Sequence, residues 1–120
     1  MTQRLSFTKY ENEYVPSFRQ KINEAESTED VKKFFAYTVR ELLESIFGGK
    51  LKIHYEDVAL KPNSDPNFFL SERLLSSDSF KSVWENSDLP QVVGRLAKSA
   101  IRRYRRLEKH KEKTDAKIRM

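Results

Sequence analysis

Residues 27–49 read STEDVKKFFAYTVRELLESIFGG, a helix written out from start to stop. Ser27 or Thr28 supplies a capping hydroxyl, and Glu29 and Asp30 place negative charge at the positive end of the helix dipole. Gly48-Gly49 then offers the left-handed turn that ends it. Between these signals Val31, Phe34, Phe35, Val39, Leu42, Leu43, Ile46 and Phe47 cover more than half of the circumference, at about 100° per residue. A stripe that wide touches neighbours on two sides, which predicts the central helix of a mainly α domain.

Toward the N-terminus, Thr8 with Glu11 three residues later fits a capping box, and Tyr14, Phe18, Ile22 and Ala25 share a face. Pro16 inside such a helix would delete a backbone hydrogen bond and crowd the preceding turn. A regular helix that begins at Pro16, with residues 9–15 looser, is therefore expected. Past the glycine pair the period changes. Leu51, Ile53 and Tyr55 alternate with Lys50, Lys52, His54 and Glu56, the rhythm of a half-buried strand. One strand cannot stand alone. Its expected partner is the other alternating stretch, giving a two-stranded ribbon from residues 4–8 and 51–55; otherwise residues 50–60 form an extended connection over the helices. Asp65 with Pro66 predicts a helix carrying Phe68, Phe69, Leu70, Leu74 and Leu75. Phe80, Val83 and Trp84 mark a short helix, and Asp88 with Pro90 opens the last and longest one, to about Lys109. The fold class is thus mainly α, a compact bundle of four to five helices. It is expected to form a single helical domain over 1–110, followed by a flexible basic tail, 111–120.

Composition agrees. The chain has 120 residues, a length for one core, and Leu, Ile, Val and Phe number 31, too many for a disordered chain. No apolar run is long enough to span a membrane, and no secretory leader pattern opens the chain. Zero cysteines exclude disulfides, thiolate metal sites and cysteine nucleophiles, and a cytoplasmic location is the expectation.

Charge is distributed unevenly. Residues 1–90 hold 12 Lys/Arg against 15 Asp/Glu, a net −3, whereas residues 91–120 hold 11 against three, a net +8. On the wheel of the last helix, Val93, Leu96, Ala97, Ala100, Tyr104 and Leu107 form one face. Arg95, Lys98, Arg102, Arg105, Arg106, Lys109 and Lys113 lie opposite, and no acid occurs from Gln91 to Leu107. Like charges at Lys98–Arg102, Arg102–Arg106 and Arg105–Lys109 repel, each by a few tenths of a kcal/mol. A row of cations on a rigid rod suits a phosphate backbone, and guanidinium forks, Arg103 among them, bind phosphate at two points. The plainer reading is a solvated face that complements the negative end of the dipole. A helix-turn-helix reading would place Gln91, Arg95 and Lys98 at base edges, but the charge is concentrated later, which favours backbone contact over sequence readout.

Catalysis has little support. Gly48-Gly49-Lys50 lacks the upstream glycine, the hydroxyl and the strand–loop–helix order of a phosphate loop. His54 and Glu56 are two potential ligands where zinc takes at least three from protein, so no metal and no cofactor are expected. Ser76-Ser77-Asp78-Ser79 has no elbow glycines and no neighbouring histidine. The expectation is a non-catalytic protein that contacts nucleic-acid backbone through Arg95, Lys98, Arg102, Arg103, Arg105, Arg106, Lys109 and Lys113. The alternative is an adaptor or regulatory subunit that docks the same helix on an acidic protein partner. Attachment to anionic lipid ranks third, because Val92, Val93, Leu96 and Ile101 read as core.

Overall fold

The computed structural model describes residues 6–118, with side chains as far as Lys109. The described residues form five α-helices and one short two-stranded antiparallel sheet. In chain order these are α1 (Thr8–Glu24), α2 (Thr28–Phe47), β1 (Val58–Leu60), β2 (Phe68–Leu70), α3 (Glu72–Leu75), α4 (Asp78–Glu85) and α5 (Leu89–Ile118), with a single 3₁₀ turn at Tyr55–Asp57. Among the described residues no helix is long and apolar enough to cross a membrane.

α2 is central, as its stripe predicts. The Ser27 hydroxyl accepts from the Asp30 N–H at 3.1 Å, and Gly48 takes the left-handed conformation at φ 59°. Val31, Phe35, Val39, Leu42 and Leu43 are fully enclosed, while Phe34 and Ile46 pack on the rim of the core. α1 and α5 lie against α2 and against each other, and β1 crosses α2 as well. The hydroxyls of Tyr14, early in α1, and Ser45, late in α2, meet at 2.6 Å, as antiparallel packing of the two helices places them. Phe80 of α4 stacks on Phe47 at 5.7 Å and on Trp84 at 5.4 Å, closing the C-terminal end of α2.

Three expectations change ahead of α5. α1 starts at Thr8 and runs straight through Pro16. Its N-terminus is held from outside: the Asp88 carboxylate accepts the Phe7 N–H at 2.7 Å and the Ser6 and Thr8 hydroxyls at 3.0 and 3.2 Å. Thr8 therefore does not cap its own helix, and a carboxylate from the start of α5 sits at the positive end of α1 instead. Burial alone would raise the Asp88 pKa, but these donors outweigh it and hold the carboxyl below its usual range.

The ribbon also forms elsewhere. Residues 51–54 belong to no strand, Thr8 belongs to α1, and residues 4 and 5 of the expected partner lie outside the described residues. Ile53 is buried as expected, but Tyr55 is exposed in the 3₁₀ turn. The observed pair is Val58–Leu60 with Phe68–Leu70, in register Val58↔Leu70, Ala59↔Phe69, Leu60↔Phe68. The third change follows from the second. Asp65-Pro66 opens a turn, not a helix, and the helix starts after Ser71, whose hydroxyl accepts the Leu74 N–H at 3.2 Å. Asp57 locks this arrangement. Its carboxylate accepts the His54 N–H at 2.7 Å, the Ser71 hydroxyl at 2.6 Å and the Arg73 guanidinium, which also reaches the Lys52 carbonyl at 2.7 Å.

α5 keeps helical backbone through residues 110–118, beyond the Lys109 end that its apolar pattern suggests.

Candidate nucleic-acid interface

The apolar stripe of α5 is buried from Leu89 through Val92, Val93, Leu96 and Ala97 to Ala100, and Ile101, Tyr104 and Leu107 pack against the core edge. That orientation leaves the cationic face outward. Taking Val93 as zero, the eight candidate side chains occupy different sectors of the wheel, and tertiary contacts divide them.

Three are bound to the fold. Arg95 grips Glu11 of α1 with both arms of its fork, Nε to Oε2 at 2.7 Å and Nη2 to Oε1 at 2.8 Å. Arg103 lies on the α1 flank and donates through Nη2 to the Ala25 carbonyl at 2.9 Å, satisfying a backbone acceptor at the end of α1. Its Nε is enclosed with no hydrogen-bond partner among the described residues. Arg105, on the opposite flank, reaches the Pro62 carbonyl at 2.8 Å, Asn63 Oδ1 at 3.2 Å and Glu108 at 3.3 Å. These arginines staple α5 to α1 and to the loop before β2. Because Glu11 fills the Arg95 fork, one of the three side chains of the helix-turn-helix reading is committed elsewhere.

Four remain along the middle of the face. Lys98, Arg102, Arg106 and Lys109 are exposed and make no ion pair among the described residues. They fall between about 140° and 220° from Val93, a continuous strip that faces solvent. Lys113 lies further along the helical backbone, and its side chain is outside the described residues.

One cation was not legible as part of the face. Arg19 and Asn23 of α1 line an open groove of about 240 Å³ whose other wall is Ser99, Arg102, Arg103 and Arg106 of α5. The signal for Arg19 was its place beside Phe18 on the flank of the α1 stripe, since a cation there borders whichever helix covers that stripe. Glu11–Arg95 and Ala25–Arg103 pair α1 and α5 in the same sense, the first toward the N-terminal ends of both helices and the second within the wall of the groove. No carboxylate lines it.

The buried carboxylates are all engaged. Glu11 faces Arg95, and Asp57 is surrounded by donors. Burial would raise the Asp57 pKa, but Arg73, Ser71 and the His54 N–H, with the charge of Arg73, hold it at about 2. Among the described residues no group of three or more His, Asp or Glu side chains is placed to share a metal ion. Comparison of the chain with protein-family models, curated proteins and solved structures finds no match.

Proposed function

We propose that this is a non-catalytic binding protein that holds the sugar–phosphate backbone of nucleic acid along α5, through Lys98, Arg102, Arg106 and Lys109. The observation that carries the reading is the strip itself: four cations at helical spacing, exposed, and without a carboxylate partner among the described residues. Neighbours such as Lys98–Arg102 and Arg102–Arg106 repel in the free protein, and a polyanion laid along them relieves that repulsion while releasing its own counterions. Burial of the opposite stripe leaves no apolar face on α5 to insert into a lipid surface, so attachment there would rest on charge alone and ranks lower. Engagement of Glu11, Asp57 and Asp88 in fixed hydrogen bonds supports a binding role over acid–base chemistry.

Four phosphate contacts give a log–log salt slope of about −3 to −4 on duplex DNA, with little sequence preference. Fluorescence anisotropy on unrelated duplexes and single strands of about 20 nucleotides, from about 50 to 300 mM salt, measures it. Absence of binding at the lowest salt and micromolar protein refutes the reading. The alternative, docking of the same strip on an acidic protein partner, then takes first place.

A further inference from the structure

We infer that the groove between α1 and α5 is a seat for a phosphomonoester dianion, carried on the end of a nucleic-acid strand and gripped by Arg19, Arg102 and Arg106. Attaching the phosphate to a strand rests on the function proposed above; the seat itself rests on the groove.

Three features define it. The lining holds four guanidinium groups, the neutral polar side chains Asn23 and Ser99, and no carboxylate, so its positive charge is uncompensated from within. Its walls are fixed, because the Glu11–Arg95 pair and the Arg103–Ala25 bond tie the two helices on either side of it. Arg103 is thereby a positioning residue that sets the spacing of the walls, while Arg19, Arg102 and Arg106 are exposed at the surface. Finally, the space of about 240 Å³ is below the ~300–1,000 Å³ of sites that enclose whole small molecules, and suits a charged group better than an entire nucleotide.

The shape and the charge both choose the end of a strand over its middle. An internal phosphodiester has one negative charge and a nucleoside on each side, which keeps it on a ridge such as the exposed strip of α5. A terminal monoester has a nucleoside on one side only and can enter a recess. Near neutral pH it carries close to two charges and presents three acceptor oxygens, enough for several guanidinium forks at once.

The experiment compares strands of about 20 nucleotides that bear a phosphate or a hydroxyl at the 5′ end, labelled at the other end, and a second pair that differs at the 3′ end, by anisotropy at about 100 mM salt with the full chain. One phosphorylated strand should bind about tenfold more tightly than its hydroxyl counterpart, the scale of one added charge-assisted contact. Arg19→Gln should erase that advantage and leave the hydroxyl strands within about threefold of their original affinity, while Arg19→Lys restores part of it. Lys98→Gln with Lys109→Gln should weaken both strands alike and keep their ratio. Equal affinities at both ends overturn the seat and leave the backbone reading intact. Should no strand bind, the backbone reading fails. Calorimetry with adenosine 5′-monophosphate against adenosine then decides the seat alone: heat that Arg19→Gln abolishes upholds a seat for a free phosphomonoester, and silence overturns it.

Discussion

Asp57 is almost wholly enclosed, yet its folded pKa of about 2 lies below the ordinary 3.8. The charged form is favoured by the fold, so the contribution is present above about pH 4 and is lost as pH falls from there toward 2. The span corresponds to about 2 kcal/mol. Urea unfolding should therefore show Asp57→Asn less stable than the parent at pH 7 by about that amount, with the gap narrowing below pH 4. A gap independent of pH would mean that Arg73 and Ser71 do not hold the carboxylate as described. The Glu11–Arg95 pair predicts a separation of roles. Arg95→Gln leaves a carboxylate that is 11 % exposed without its fork and should cost about 1–3 kcal/mol of stability, while changing the salt slope of nucleic-acid binding little. Arg102→Gln should do the reverse.

Among the elements, α2 was readable because everything that specifies it is local: a cap, a dipole complement, an apolar period and a glycine stop within 23 residues. Phe35→Ala or Leu42→Ala, both fully enclosed, should each cost about 2–5 kcal/mol by denaturant unfolding. A loss under about 1 kcal/mol at both would misplace the core. α1 was read short because Pro16 is a local argument against a helix. The penalty is real but is outweighed by tertiary contacts at Asp88, Arg95 and Ser45. Pro16→Ala should consequently stabilise the protein, by about 1–2 kcal/mol after allowance for a more flexible unfolded chain, visible as a higher Tm. The segment from 50 to 75 misled for a related reason. Alternation at 51–55 and the Asp65-Pro66 signal were both real, but Asp57 draws His54, Ser71 and Arg73 together and so selects residues 58–60 and 68–70 as the pair.

At the scale of the molecule, the proposed binding strip, Lys98 to Lys109, and the apolar stripe that completes the core lie on opposite faces of α5. Arg95, Arg103 and Arg105 add ties to the fold beside the strip. Arg102→Gln with Arg106→Gln should make the salt slope shallower by about two while leaving Tm nearly unchanged. Substitution of the same two by lysine should lose much less, since the charge survives and only the two-point fork is lost. A large fall in Tm for the glutamine pair would show that these arginines hold α5 in place.

The sequence by itself determined that the chain is a helical domain with α2 at its centre, and that α5 is apolar on one side and cationic on the other. Both follow from periods and caps that act within a few turns. Only the tertiary structure decided which cations are available. Arg95 is taken by Glu11 from 84 positions away, Arg103 by the Ala25 carbonyl from 78, and Arg105 by Pro62 from 43. Arg19 joins the candidate site by the same means, since it meets Arg102 and Arg106 only where α1 lies along α5. A guanidinium fork has no periodic signature for its partner. Whether it binds its own protein or a ligand is settled by what packing brings within about 3 Å of it.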